Sequence, residues 1–183
     1  MPRYFAFLRA INAGQGRSLT MESLRRAFAP LGFENVATFI GSGNVIFDTP
    51  ATDTAALEKQ IVSCLQETLG MEVDTFLRTE GELSRIASAT PFLPSHRQPA
   101  DELEVAFLAG ELEVALKQPV ERLATVTDEY AVAGREIYWL RHRGPGAPPY
   151  STTPLERTLK QPFTIRSLHT VQKMLAKFAG ENL

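Results

Sequence analysis

Cysteine is nearly absent: Cys64 stands alone in 183 residues. That excludes an intrachain disulfide and any zinc site built from several thiolates. Cys64 recurs with Leu57, Ile61, Leu65 and Leu69 at the spacing of one helix face, so it reads as a buried, unreactive thiol. Histidine is scarce too. His96, His142 and His169 stand at no metal-ligand spacing from one another or from a carboxylate motif, so no metal and no cofactor is expected. Long apolar runs are also missing. The one near the amino terminus, Tyr4 to Leu8, is flanked by Arg3 and Arg9 and is too short for a signal-peptide core. Nothing approaches the roughly 20 apolar residues of a membrane span. A cytoplasmic chain with no membrane contact is expected.

What is present is ordinary in amount and uneven in placement. Hydrophobic residues make up 44% and charged residues 22%, and the net charge is −2. Residues 1–134 carry 11 Lys/Arg against 18 Asp/Glu, whereas 135–183 carry 8 against 3. A basic tail on an acidic body suits either recognition of an anion or docking within the molecule.

The patterning predicts an α+β fold. RYFAFLR at 3–9 reads as a strand, Thr20 as an N-cap for a helix over 21–31, and Gly32 as its stop. Strands at 35–40 and 44–48 follow, joined by a tight turn at Gly41-Ser42-Gly43, then a helix over 53–69 and a strand over 71–78. This β-α-β-β-α-β order is that of a ferredoxin-like plait. Thr79 and Glu82 form a capping box for a short helix ending before Pro91, and 90–101 reads as a linker. Beyond it the pattern predicts a strand at 103–109, a helix near 111–117, and strands at 124–132 and 136–141 turning at Gly134. A capping box at Thr153-Pro154-x-Glu156, with proline at the first helical position, and a last helix over 165–179 complete the chain. The expected organisation is a subdomain at 1–79, a short helix and linker at 80–102, and a second α+β subdomain at 103–183. Strand alternation puts apolar side chains on both faces of the first sheet. Its own helices cover one face, so the second half of the chain is the expected cover for the other.

The stretch FLRAINAGQGRSLTMESLRRAFAPLGFENVATFIGSGNVIFDT resembles the DUF1697 family. The likeness continues through TPF at 90–92, GREIYW at 134–139 and TIRSLHTVQKMLAKF at 164–178. The resemblance implies two α+β subdomains related to the ferredoxin-like plait and supplies no catalytic residues. The chain departs from the family pattern at Gly41, at Ser167-Leu168 and at Thr152, which strips part of any shared polar site.

Gly14-Gln15-Gly16-Arg17 lies between a strand and a helix, where backbone N–H groups can face an anion or where glycines simply permit the turn. It lacks the third glycine of a dinucleotide fingerprint and the Gly-Lys-Ser/Thr of a P-loop. If strands one and three are neighbours, the Ser42-Gly43 turn is expected at the opposite strand end from this loop, as a structural turn. On the last helix, Arg166, His169, Lys173 and Lys177 fall on one side, either a solvated face or an anion-binding ridge.

Three functions follow. The first is a binding module for a small anionic or nucleotide-like ligand, held between the subdomains by Arg9, Asn12, Gly14, Gly16, Arg17, Arg166 and His169. The second is an enzyme using His142, Ser151 or His169. The third is nucleic-acid binding by the basic C-terminal part. RYFAFL is only superficially like an RNA-binding signature, and its acidic surroundings oppose phosphate, so packing is its expected role.

Overall fold

A computed structural model describes residues 1–9, 20–40 and 43–180. The chain divides into two units, Met1–Ile86 together with the chain from Gln172 onward, and Ala87–Val171.

In the first unit the elements are β1 (Arg3–Leu8), α1 (Met21–Phe28), β2 (Glu34–Thr38), β3 (Asn44–Asp48), α2 (Thr54–Leu69), β4 (Thr75–Thr79) and α3 (Glu80–Ala87). The expected helix over 21–31 gives way at Ala29 to a 3-10 turn over Ala29–Leu31, where Pro30 removes an N–H that an α-helix would use. The caps are those the sequence predicts. Thr20 Oγ1 accepts from the Ser23 N–H at 3.0 Å, and Thr79 and Glu82 bond each other's backbone N–H groups at 3.2 and 2.9 Å. The strand order is β2-β3-β1-β4, all neighbours antiparallel.

The second unit repeats this plan. Its elements are β5 (Glu102–Phe107), α4 (Val114–Glu121), β6 (Asp128–Ala133), β7 (Glu136–Arg141), α5 (Thr153–Leu159) and β8 (Thr164–Ser167). They are followed by α6 (Leu168–Phe178), which runs past the boundary between the units. The strand order is β6-β7-β5-β8. Gly134, at φ +61°, supplies the left-handed residue of the β6–β7 turn.

Several boundaries in this half differ from expectation: α4 covers Val114–Glu121 where 111–117 is expected, β6 begins at Asp128 where 124 is expected, and two further differences fall at the last two helices. The residues expected to open the last helix at 165 form β8 instead, pairing Ile165 with Ala106 and Arg166 with Val105. Ser167 then caps the helix, its Oγ accepting from the Thr170 N–H at 3.1 Å. The capping box expected from Thr153 starts one residue earlier. Thr152 occupies the cap position, bonding the Glu156 carboxylate at 2.8 Å, and Pro154 is the second helical residue.

Each sheet turns one face to helices. In the first, Tyr4, Ala6, Leu8, Val45, Phe47 and Leu77 meet Leu24, Phe28, Leu57, Ile61 and Leu65. In the second, Ala106, Leu108, Ile137 and Trp139 meet Leu112, Val120, Leu155 and Leu159. The other face is buried as well: Phe5, Phe7 and Ile46 are 0% exposed and Phe76 is 2% exposed. Cys64 is buried as expected, and its thiol donates to the Ala27 carbonyl at 3.3 Å.

Candidate functional site

The second unit carries a cavity of about 440 Å3, within the size range of small-ligand pockets. It lies where β6 begins and β7 ends. Tyr130, Trp139 and Arg141 line it from the sheet, Leu123, Thr125, Val126 and Thr127 from the segment before β6, and Ala147, Pro148, Pro149, Ser151 and Pro154 from the segment after β7. Strand period explains the sheet wall. Ile137, Trp139 and Arg141 alternate onto one face of β7, and Asp128 and Tyr130 onto the same face of β6, with Asp128 opposite Arg141 and Tyr130 opposite Trp139.

Trp139 is the hub. Its Nε1–H donates to Asp128 Oδ1 at 2.7 Å, and Asp128 Oδ2 accepts from the hydroxyls of Thr125 and Thr127 at 3.1 and 2.7 Å. The Tyr130 ring lies 5.6 Å from the indole, the Tyr150 ring 5.4 Å and the Arg141 guanidinium 4.9 Å. Arg141 also sits 4.5 Å from the Tyr150 ring centre. With those neighbours the indole is 3% exposed and the Tyr130 side chain is nearly closed off. Burial pushes the Tyr130 hydroxyl well above its ordinary pKa, and the Asp128 charge adds to the effect.

Arg141 is 5% exposed and under-used. Its one hydrogen bond runs from NH1 to Glu102 Oε2 at 3.2 Å, and its buried Nε has no partner among the described residues. Glu102 also takes Arg143 NH2 at 2.6 Å, so two guanidiniums share one carboxylate. Buried polar groups in folded proteins are normally paired, and an orphaned donor costs about 1–3 kcal/mol.

The cavity edge also holds His142. Its Nδ1 lies 2.9 Å from Asp101 Oδ2 and its Nε2 lies 3.0 Å from Glu129 Oε1, while Glu129 Oε2 meets His96 Nδ1 at 3.1 Å. Two carboxylates at the two ring nitrogens call for two N–H groups, which only the imidazolium has. Burial pulls the His142 pKa down, but the hydrogen bonds to Glu129 and Asp101 outweigh it and the net shift is upward. Burial alone raises the carboxyls of Asp101 and Glu129. The Gln98 N–H and His142 for Asp101, and His142 and His96 for Glu129, bring both below their ordinary values. His142 and Ser151 do line one cavity, as base-assisted chemistry needs. Yet both nitrogens of His142 are engaged by acids, which leaves no free base for a serine.

The residues singled out in the sequence are placed as follows. Asn12, Gly14, Gly16 and Arg17 lie outside the described residues, as does Ser42. Arg9 follows β1 in the first unit, and its guanidinium meets Asp74 at 3.2 Å with both side chains about two-fifths exposed. Arg166 is not on the basic side of the last helix. It sits in β8, 9% exposed, donating to Thr164 Oγ1 at 2.9 Å and to the Ile165 carbonyl at 2.8 Å. Burial lowers its pKa to about 10. His169 is exposed in the first turn of α6. Arg9 belongs to the first unit, Arg166 and His169 to the second.

The β2–β3 turn is at the same sheet end as the exit from β1, contrary to expectation. β1 and β3 run antiparallel with Phe7 opposite Asn44, and the Leu8 N–H donates to the Gly43 carbonyl at 2.8 Å. Sequence reasoning did not select Tyr130, Trp139 or Arg141. The usable signal was the lone tryptophan and an arginine two residues on, which a strand must put on one face.

Among the described residues, no group of three or more His, Cys, Asp or Glu side chains is placed to hold a metal ion, and no helix is long and apolar enough to cross a membrane. Two plait-like units with the same strand order, one opened by a cavity at a sheet corner, define an α+β protein of internally similar halves. Residues 1–138 match the family described as "Protein of unknown function (DUF1697)", and the chain belongs to that family. Its fold is similar to that of the conserved bacterial protein SP0830 from Streptococcus pneumoniae, at 23% identity and a TM-score of 0.68, over 96% of this chain and 99% of that one. No curated protein matches the chain.

Proposed function

We propose that this protein is a binding module for a small anionic ligand and that the ligand occupies the cavity of the second unit. The observation that supports this most directly is Arg141: a guanidinium 5% exposed, lining a cavity, with a single hydrogen bond among the described residues and a buried Nε left over there. A bound oxyanion gives the cavity-facing part of the guanidinium a further charge-assisted partner, and the arginine fork suits a two-oxygen anion better than a neutral ligand. Arg143 stands beside it on the cavity lining. The reading retains the anion expected from the sequence and moves its site from the Gly14–Arg17 loop to the Trp139–Arg141 corner.

The test uses the indole N–H of Trp139, the sole tryptophan, as a reporter in NMR spectra of the full chain. Small anions, acetate and inorganic phosphate among them, are expected to shift that resonance in a saturable way. Arg141→Met is expected to abolish the response, and Arg17→Ala to leave it intact. An indole resonance indifferent to every anion at millimolar concentration would falsify the reading.

A further inference from the structure

The same corner also limits which anion it can take. Three features bear on this: the aromatic faces, the charge balance and the walls.

A nucleotide base gains from an aromatic face to stack on. Trp139 has Tyr130, Tyr150 and the Arg141 guanidinium all within 5.6 Å, and it is 3% exposed, so its ring is already in use. Its N–H is committed to Asp128. The indole therefore has neither a free face nor a free donor to give a base.

The charge balance disfavours a ligand bearing more than one negative charge. Arg141 and Arg143 share Glu102, which leaves one positive charge between them. His142 is met by Asp101 and Glu129 and has no attraction to spare. Asp128 adds a negative charge to the lining, spread over three donors. With Glu104 standing opposite Trp139 as well, the lining has little positive charge to spare, so each further negative charge on a ligand counts against it and a carboxylate fits better than a dianionic phosphate.

Apart from the hydroxyls of Thr125, Thr127 and Ser151, the rest of the lining is aliphatic or glycine. Leu123, Val126, Ala147 and Pro148 offer hydrocarbon without hydrogen-bonding groups in their side chains, and Val126 is 95% exposed. Such walls gain from contact with an apolar ligand body and offer a sugar few hydrogen bonds, since the Thr125 and Thr127 hydroxyls already donate to Asp128.

We infer that the ligand class is an aliphatic monocarboxylate, its head on the Arg141 guanidinium and its chain against Leu123, Val126 and the proline-bearing loop. The inference rests on the anion-binding reading above and narrows it.

Titration of the full chain with sodium octanoate, octanol, inorganic phosphate and AMP, read by Trp139 fluorescence and calorimetry, tests it. Octanoate is expected to bind at least about tenfold more tightly than each of the others. Val126→Glu puts a negative charge at an exposed point of the lining without touching the core. It is expected to weaken octanoate at least about tenfold while leaving the melting temperature unchanged. Because Arg141→Met can fail to fold, Val126→Glu carries the test. Phosphate or AMP binding as tightly as octanoate overturns the carboxylate class and leaves the anion site standing. Octanol equal to octanoate, or no binding by any of the four, overturns both. Octanoate binding untouched by Val126→Glu overturns the placement of the chain.

Discussion

The two sheets share a strand order yet treat the same corner in opposite ways. In both, the third strand ends beside the first residue of the central strand: Asp48 opposite Arg3 in one, Arg141 opposite Glu102 in the other. The first pair is closed. Arg3 meets Asp48 through two bonds, at 2.7 and 2.8 Å, and also donates to the Phe178 carbonyl, while Asn35 donates to Asp48 at 2.8 Å. Both side chains are 8% exposed. The second pair is open: one contact, a carboxylate nearly half exposed, and a donor without a partner among the described residues. The faces differ too. Arg3 points away from Tyr4, Ala6 and Leu8, which pack on helices, whereas Arg141 shares the helix-side face of Ile137 and Trp139.

The nearest helix-side aromatic position in each sheet, one step along the register in the first and two in the second, shows the cause. Tyr4 stands opposite Phe47 in the first sheet, and Glu104 stands opposite Trp139 in the second. Phe47 is enclosed by Tyr4, Phe28 and Phe33 at 4.2 to 6.2 Å and is fully buried. Trp139 has a carboxylate where Phe47 has a tyrosine ring, and burial raises the pKa of that carboxylate. An apolar corner closes by packing. A corner with Glu104 and Arg141 on the helix side cannot close that way, because bringing helices onto charged groups desolvates them. The same plait can therefore have a sealed corner or an open one, according to three or four side chains.

The comparison can be broken most directly at the ion pairs. Arg3→Met leaves Asp48 buried without its cation and is expected to lower stability by about 3–5 kcal/mol in urea unfolding. Glu102→Gln in the open pair is expected to change it by less than about 1 kcal/mol. Equal losses would mean that the two corners are alike.

A smaller effect is expected at Glu104. An acid whose pKa is raised by folding binds more protons in the folded state, so its contribution falls as pH rises above its ordinary value of 4.5. Glu104→Gln is therefore expected to stabilise the protein by a few tenths to about 1 kcal/mol at pH 7, and to do nothing at pH 4. A loss of stability at pH 7 would show that the charge is wanted where it stands.

The smallest effect concerns His142. A histidine with a raised folded pKa contributes fully below its ordinary value of 6.5, and the contribution fades as pH rises through the folded value. Asp101 and Glu129 have lowered values, so their contributions fade as pH falls below about 4. Stability from this cluster is thus expected to peak between about pH 4.5 and 6.5 and to decline toward pH 8. His142→Gln is expected to flatten the alkaline side of that profile, measured by unfolding midpoints across pH. An unchanged profile would remove the imidazolium from the account.

Much of the first plait was legible because its elements are long or sharply capped. Thr20, Thr79 with Glu82, and Gly134 mark boundaries that local chemistry alone fixes. β8 was missed because four residues are too few to show a period of two, and the helix pattern that follows extends backward over them. Ser167, a cap by type, was the available stop signal. That omission moved Arg166 from an exposed helix face into a sheet.

The candidate site was legible only in pieces. Trp139 and Arg141 announce a shared face, but nothing local says that Glu102, some 40 residues earlier, meets that arginine with only one of its donors. His142 looked unpartnered in sequence, yet Asp101 and Glu129 come to it from two other segments.

Sequence by itself determined the α+β class, the βαββαβ order of the first unit and the burial of both faces of its sheet. These follow from period, capping and turn chemistry, which act between neighbours in the chain. Tertiary structure alone decided which corner stays open. That outcome depends on whether charges brought together from distant strands satisfy one another, and pairing across a sheet has no signature in local order.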